Sequence, residues 1–472
     1  MKKSHKILLI LLPLLLLLAA GLWGLRYYSS HIFLDGCVYE KASASLDLRG
    51  QEISLDHYTA LREQLPECEI LWDVPFQGQR IPNTAAELTV SSLSQEDLSL
   101  LALFPDLTGL NAVGCRDYPQ LMAFRQQFPD CRLSYDVQIS GSTYFEGTRT
   151  IALTDGDPEE LREMLQYLPR LTSLSFSAPT MSAADLLSLR EQYPAIDIHW
   201  QKEFQGTVYP DDVTAIDLSG TAQESLEAIE KAMEYYPGLK KVILCDCGFE
   251  NEALAQYRDR VRDHYKVVWS VVVGTLTVRT DDLTYMPEKY DQDVYDWDIH
   301  DLVFCEDMLC VDIGHKVVSN VDWIYGMPKL QYLILADTRV TDITPVSTLK
   351  DLIYFEVFKT DVSDYSPLLG CTSLQDANLA YTEGDASVFA QMPWLNNLWI
   401  NGCDVDQETR ELLTKSLPDT YIEFDHGWHM GNSWRALLNY FKMRDLLEMP
   451  YFDWGNNLGR PGDPGYPYAE EE

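Results

Sequence analysis

The stretch VILCDCGFEN, Val242 to Asn251, sets two thiols and a carboxylate side by side. Thiolates bind soft metals, exchange with disulfides or pair with each other, so Cys245-Asp246-Cys247 has the composition of a metal site, a redox pair or half of a disulfide framework. HGWHMGNSW places His426 and His429 three apart, with no third ligand at a zinc spacing. Asp281 to Asp301 holds eight carboxylates and one Lys. Hard cations take several oxygens, but this run lacks the glycine turn and the Asp-x-Asp-x-Asp-Gly spacing of a calcium loop, and reads as a solvated acidic linker. The chain contains no Gly-x-Ser-x-Gly, phosphate loop or His-Glu-x-x-His, and no Cys-His pair at a family spacing. No catalytic, cofactor-binding or metal-ligating residues are therefore expected, and the chain is not expected to be an enzyme. A deep pocket holding two carboxylates with perturbed pKa values would reopen a surface-hydrolase reading.

Elements that could position such residues come from the rest of the sequence. The chain has 472 residues, 73 Asp and Glu against 36 Lys and Arg, and a net charge of −37. That acidity excludes nucleic acid, whose phosphates need bases. With 46% hydrophobic residues the chain is a folded one, and its length calls for several domains or a repeat array. At the N-terminus Lys2, Lys3 and Lys6 precede an uncharged run from Ile7 to Leu25. The run predicts a transmembrane anchor over residues 7–25, favoured over a cleaved signal sequence because Leu18 to Gly21 makes a poor cleavage site. The expected location is the cell membrane, single-pass, with a cytoplasmic N-terminus and the bulk of the chain outside.

Internal periods then organise the chain. Ile313, Leu335, Val357 and Leu379 stand 22 apart, and Ile400 follows 21 later. Asp342-Ile343-Thr344-Pro345-Val346 and Asp364-Tyr365-Ser366-Pro367-Leu368 repeat at the same 22. Over about Val311 to Val405 this resembles the leucine-rich repeat superfamily, in its short bacterial, internalin-like class. Each repeat would contribute one short strand and a return segment through positions such as Val346, Leu349 and Leu352. A single repeat cannot bury its own apolar face, so repeats stack and the ends need caps.

The N-terminal half carries a longer unit. Helix-ending prolines recur at Pro105, Pro169 and Pro237, and at Pro66, Pro129 and Pro194, giving strand, helix, strand, helix, long strand with a period near 64. The expected fold class is α/β: a leucine-rich-repeat solenoid, helix-rich and divergent N-terminally and built of 22-residue repeats C-terminally, preceded by one transmembrane helix. Its expected domains are a basic start with anchor or signal sequence (1–28), a linker (29–42), divergent units (43–280), the acidic linker (281–301), short repeats (302–425), a cap (426–452) and a flexible tail (453–472). The cap is expected as a helix over the last repeat's apolar edge.

Trp72, Tyr135, Trp200 and Phe424 each lie six residues after a helix-ending proline. Their strands alternate them with aliphatics in the same phase, so they read as core and not as a sugar platform. In the family, ligands dock on the concave face, which alternate strand positions line. The resemblance implies Tyr332, Ile334, Tyr354, Glu356, Phe358, Asn378, Trp399 and Asn401 as ligand-binding residues. Tyr, Trp and Phe together suit a recognition hot spot. The same residues would equally seat the chain's own C-terminal segment, and a face sealed by residues after His426 would end that site. The expected function is protein binding in an adhesion, receptor or scaffold role, with a cell-surface or wall glycan as the alternative ligand and a hydrolase third.

The repeats also place the thiols. In the resembled pattern the residue three after the last strand Leu turns inward to bond neighbouring backbone. Cys247, Cys115 and Cys403 fill that slot, and Thr338, Thr360 and Thr382 fill it elsewhere. Cys245 is left pointing at the concave surface. Cys371 replaces Leu349 one repeat on, and Cys68 and Cys131 share a slot with Ile196. Cys305 and Cys310 remain the one pair close enough in sequence for a disulfide.

Overall fold

The computed structural model describes residues 3–287, 294–425 and 434–449. The chain divides into two compact units, Met1–Pro210 and Asp211–Glu472.

The first unit opens on a helix, Lys3–Ser30. This helix is where the expected membrane anchor over residues 7–25 is corrected. Among the described residues no helix is long and apolar enough to cross a membrane. The transmembrane start of the fold, the signal anchor, the single-pass location and the membrane as a partner are withdrawn with it.

Short parallel strands then alternate with helices, an arrangement resembling a leucine-rich-repeat solenoid. Glu87–Thr89, Gly109–Ala112 and Arg132–Ile139 pair in parallel, as do Thr150–Leu153, Ser173–Phe176 and Asp197–Phe204. Helices start where side chains cap them. Ser54, Ser94, Asp157 and Ser182 each accept the backbone N–H three residues on, at 2.8–3.1 Å. Such caps contribute about 1 kcal/mol each.

Where one long strand was expected at the end of a unit, the chain folds back on itself. Gln77-Gly78, Ser140-Gly141 and Gln205-Gly206 have positive φ at both residues, the geometry of a two-residue hairpin turn that matches strand twist. Each turn joins antiparallel partners, as in Asp73–Phe76 with Gln79–Pro82. The aromatic row before these turns is core: Trp72, Tyr135 and Trp200 are buried. Arginines of the preceding helices lie over two of the rings, Arg125 on Tyr135 at 5.4 Å and Arg190 on Trp200 at 4.3 Å.

The second unit begins with one more such unit, Ala215–Asp217, Lys241–Ile243 and Lys266–Val268 in parallel, followed by a hairpin. A seven-stranded parallel sheet follows in strict sequence order. Its strands are β1 (Thr284–Tyr285), β2 (Cys310–Asp312), β3 (Tyr332–Ile334), β4 (Tyr354–Glu356), β5 (Asp376–Asn378), β6 (Asn397–Trp399) and β7 (Tyr421–Glu423). Residues 281–301, expected as a solvated linker, hold β1 and the short helix Asp296–Ile299, with Tyr285, Val294 and Ile299 buried. Their acidic side chains also have structural work: Asp281 pairs with Lys241 and Arg279, and Asp296 receives Ser319 and Asn320 backbone N–H groups.

Tight turns return the chain between strands, burying Ile324, Val346, Leu368 and Phe389 against the sheet. Thr338, Thr360 and Thr382 donate inward to Leu335, Val357 and Leu379 carbonyls at 2.5–2.7 Å. Cys247 and Cys403 do the same toward Leu218 and Leu379, each at 3.2 Å. All ten cysteines are free thiols, Cys305 and Cys310 included. Cys245 is buried.

Candidate functional site

The site is built on the second face of the seven-stranded sheet. Leu333, Phe355, Ala377 and Leu398, central in β3 to β6, face the core and are fully buried. Successive strand residues point to opposite sides, so their neighbours face the other way. The register aligns those neighbours in rows. One row runs Cys310, Tyr332, Tyr354, Asp376, Asn397 and Tyr421; the next runs Asp312, Ile334, Glu356, Asn378, Trp399 and Glu423.

The strand residues expected to bind ligand, Tyr332, Ile334, Tyr354, Glu356, Asn378 and Trp399, therefore share one face, with Phe358 and Asn401 just beyond the strand ends. That face is not open. Tyr354 is fully buried, and Tyr332, Ile334, Glu356, Phe358, Asn378, Trp399 and Asn401 are each 7% exposed or less. Residues 434–449 lie on it, so the open ligand-binding platform expected from the sequence is corrected: the chain's own C-terminal segment seals the face and ends it as an open site. The C-terminal helix α1 (Leu438–Leu446) and the turn Trp434–Ala436 before it do not simply cap the last repeat. Trp434, Leu437 and Met443 join Tyr332, Ile334, Tyr354, Phe358 and Trp399 in a single apolar cluster.

Trp434 is the anchor of this cover. Its indole stacks on Tyr354 with ring centroids 4.9 Å apart and meets Trp399 edge-on at 4.5 Å. Its Nε1–H donates to Glu356 Oε1 at 3.0 Å. The Tyr354 hydroxyl donates to the same carboxyl oxygen. A second polar anchor lies five residues on, where Asn439 Nδ2 donates to Asp376 Oδ2 at 2.8 Å and to Gln375 Oε1 at 2.9 Å. Asn397 Nδ2 holds the other Asp376 oxygen at 2.7 Å.

Burial dominates the electrostatics. Loss of solvent pushes the Glu356 carboxyl up to about 7, with Asp312 adding to the rise; hydrogen bonds from Tyr354 and Trp434 and the charge of Arg435 oppose it. Asp376 is also raised by burial, against the hydrogen bonds from Asn397 and Asn439. The Tyr354 hydroxyl is raised well above its usual value by burial and by Glu356. Two carboxyls with raised pKa thus stand on neighbouring strands, the arrangement that would reopen carboxylate chemistry. Here the Trp434 indole and the Asn439 amide occupy the hydrogen-bonding directions a substrate would need.

Asp376, Gln375, Trp434 and Asn439 are not among the residues expected from the sequence. Asp376 was findable, since it follows Tyr354 by the same 22 that sets the core positions. Trp434 and Asn439 lie outside the repeats, and no periodicity points to them. His426 and His429 lie outside the described residues, as do 288–293 of the acidic run. Among the described residues no group of three or more His, Cys, Asp or Glu is placed to hold a metal ion.

No family model matches the chain. No curated protein matches it either. Among solved structures it is similar to the internalin inlF of Listeria monocytogenes, with 14% identity, 89% of this chain and 91% of that one covered, and a TM-score of 0.27. It is also similar to internalin C2 of the same organism, with 15% identity, 47% and 87% coverage, and a TM-score of 0.26. A leucine-rich-repeat protein of Leptospira interrogans is similar at 11% identity, 71% and 93% coverage, and a TM-score of 0.26. At scores this low the likenesses do not say what this chain binds.

Proposed function

We propose that this chain is a binding protein whose sheet face, closed as an open site by residues 434–449, recognises a peptide segment of a protein partner when those residues give way to it. The observation that carries this is that the face already holds a peptide, the chain's own residues 434–449, through a buried tryptophan and two polar anchors. A sheet face needed only as a lid seat would gain more from aliphatic residues than from Glu356 and Asp376, whose burial costs free energy. Carboxylates kept at such positions select hydrogen-bond donors. A glycan ligand is less well supported, because the buried carboxyls of the face, Glu356 and Asp376, are met by an indole N–H and a side-chain amide of a peptide segment.

Tyr421 is half-exposed and packs on Trp399 at 5.6 Å, at the open edge of the face. A photo-crosslinking benzoylphenylalanine at Tyr421, introduced into the full chain in the cells that make it, tests the reading. The expected product is a discrete protein adduct that disappears when Trp399→Ala is added. Crosslinks confined to the chain's own residues would overturn it.

A further inference from the structure

The geometry points to a specific ligand class for this face: an amphipathic helical peptide with one tryptophan and a basic flank, for which residues 434–449 are the built-in competitor. This rests on the reading of the concave sheet as a peptide-recognition surface.

Three observations carry it. The first is the slot for the ring. Tyr354 supplies a flat wall, Trp399 an edge wall, and Glu356 Oε1 a floor acceptor 3.0 Å from the indole N–H. Phenylalanine has no donor, and the tyrosine hydroxyl lies at the far end of its ring, so the acceptor selects tryptophan. A mismatch would leave Glu356 buried with fewer partners, the kind of penalty that sets specificity.

The second is charge. Outward strand positions hold Asp312, Glu356, Asp376 and Glu423. Residues 434–449 carry Arg435, Lys442 and Arg444 against Asp445 and Glu448, a net +1 (three bases minus two acids) in a chain of net −37. The occupant is therefore basic where the chain is acidic, and the charge of Arg435 acts on Glu356, while the buried carboxyls themselves are met by the neutral Trp434 indole and Asn439 amide.

The third is separability. The other face of the sheet already has its own core, with Leu333, Phe355, Ala377 and Leu398 fully buried beneath Val346, Leu368 and Phe389. Residues 434–449 form an added layer in the helix-in-groove mode, anchored by a few side chains.

The test uses the full-length Trp434→Ala/Asn439→Ala chain, its fold checked by circular dichroism, and three labelled synthetic peptides. These are residues 434–449, the same with Trp434→Ala, and a scrambled version. The 434–449 peptide should bind the double variant at least about tenfold more tightly than it binds the wild-type chain. Removing its tryptophan should weaken it at least about tenfold, as for a hot-spot anchor. Equal binding of the native and Trp434→Ala peptides would overturn the tryptophan code while leaving the face a peptide surface, and equal binding of the scrambled peptide would overturn both readings. Binding of none of them to a folded variant would overturn both readings. If the double variant does not fold, Trp434→Phe, which loses only the N–H and part of the ring, takes its place. There a tenfold preference for the tryptophan peptide over its phenylalanine counterpart supports the inference, and no preference overturns it.

Discussion

The indole Nε1 of Trp434 donates to Oε1 of Glu356 at 3.0 Å across 78 positions of sequence, inside a contact that water does not reach. This bond ties the C-terminal segment to the middle strand of a sheet that is otherwise assembled from neighbours 21 to 26 residues apart.

Replacing Trp434 by Ala removes a buried ring and leaves the Glu356 carboxyl with Tyr354 alone as its side-chain donor. The cost should be about 3–5 kcal/mol, read as a lower urea midpoint. Amide hydrogen exchange over 438–446 should rise far more than exchange over β3 to β6, because the lost contacts belong to the added layer. Uniform acceleration across both would show that the layer and the sheet unfold as one.

Glu356 gives the face a pH dependence with a definite sign. Its folded value of about 7 lies above the ordinary 4.5, so the folded state holds the proton more tightly. Its contribution to stability is complete below about pH 4.5 and is lost as pH rises to about 7. At 1.36 kcal/mol per unit this amounts to about 3 kcal/mol. Asp376 is shifted in the same direction. Glu356→Gln, which keeps an acceptor for Trp434, should flatten this part of the profile and raise the unfolding midpoint at pH 8 above that of wild type. Parallel profiles for the two proteins between pH 4.5 and 8 would contradict the assignment.

Asn439→Ala should destabilise the chain by about 1–3 kcal/mol, since Asp376 would keep Asn397 but lose its donor from the cover. Asn439→Asp should cost more, because it sets a second carboxyl against a buried one. Denaturant titrations of the two variants at pH 8 order them.

The inward hydroxyl ladder predicts a smaller effect. Thr360→Val keeps shape and removes the bond to the Val357 carbonyl, 2.7 Å long and buried. A loss of about 1 kcal/mol is expected, with no change in exchange over 438–446, since the ladder and the covered face lie on opposite sides of the strands.

Buried thiols should be slow to react. Burial raises Cys305 and Cys371 to about 12, and Cys310 well above its ordinary value. Titration of the native chain with a thiol reagent at pH 8 should modify Cys37, Cys131 and Cys403 before these three. The full count should appear only on unfolding.

Much of the second unit's architecture was legible because solenoid geometry is written in spacing. A residue at 22-residue intervals must occupy the same slot on successive strands, so Leu333 and Phe355 had to face the core and Tyr332 and Tyr354 the other side. The hairpins after Trp72, Tyr135 and Trp200 have a local signal, an X-Gly pair within an alternating run, which alternation alone reads as one long strand. The acidic run at 281–301 was misleading because charge density describes side chains, while β1 forms through backbone pairing with β2.

What the sequence determined by itself was the set of short-period relationships: strand slots, helix caps, and the inward ladder of Thr338, Thr360, Thr382, Cys247 and Cys403. Each depends on residues within one or two repeats, so local chemistry suffices. Only the tertiary structure decided that the aromatic face is covered and by what. Residues 434–449 share no period with the strands they lie on, and their contacts follow from shape, from one indole N–H and from two buried carboxyls. A surface that is open by its pattern became, through a contact between distant parts of the chain, an interior.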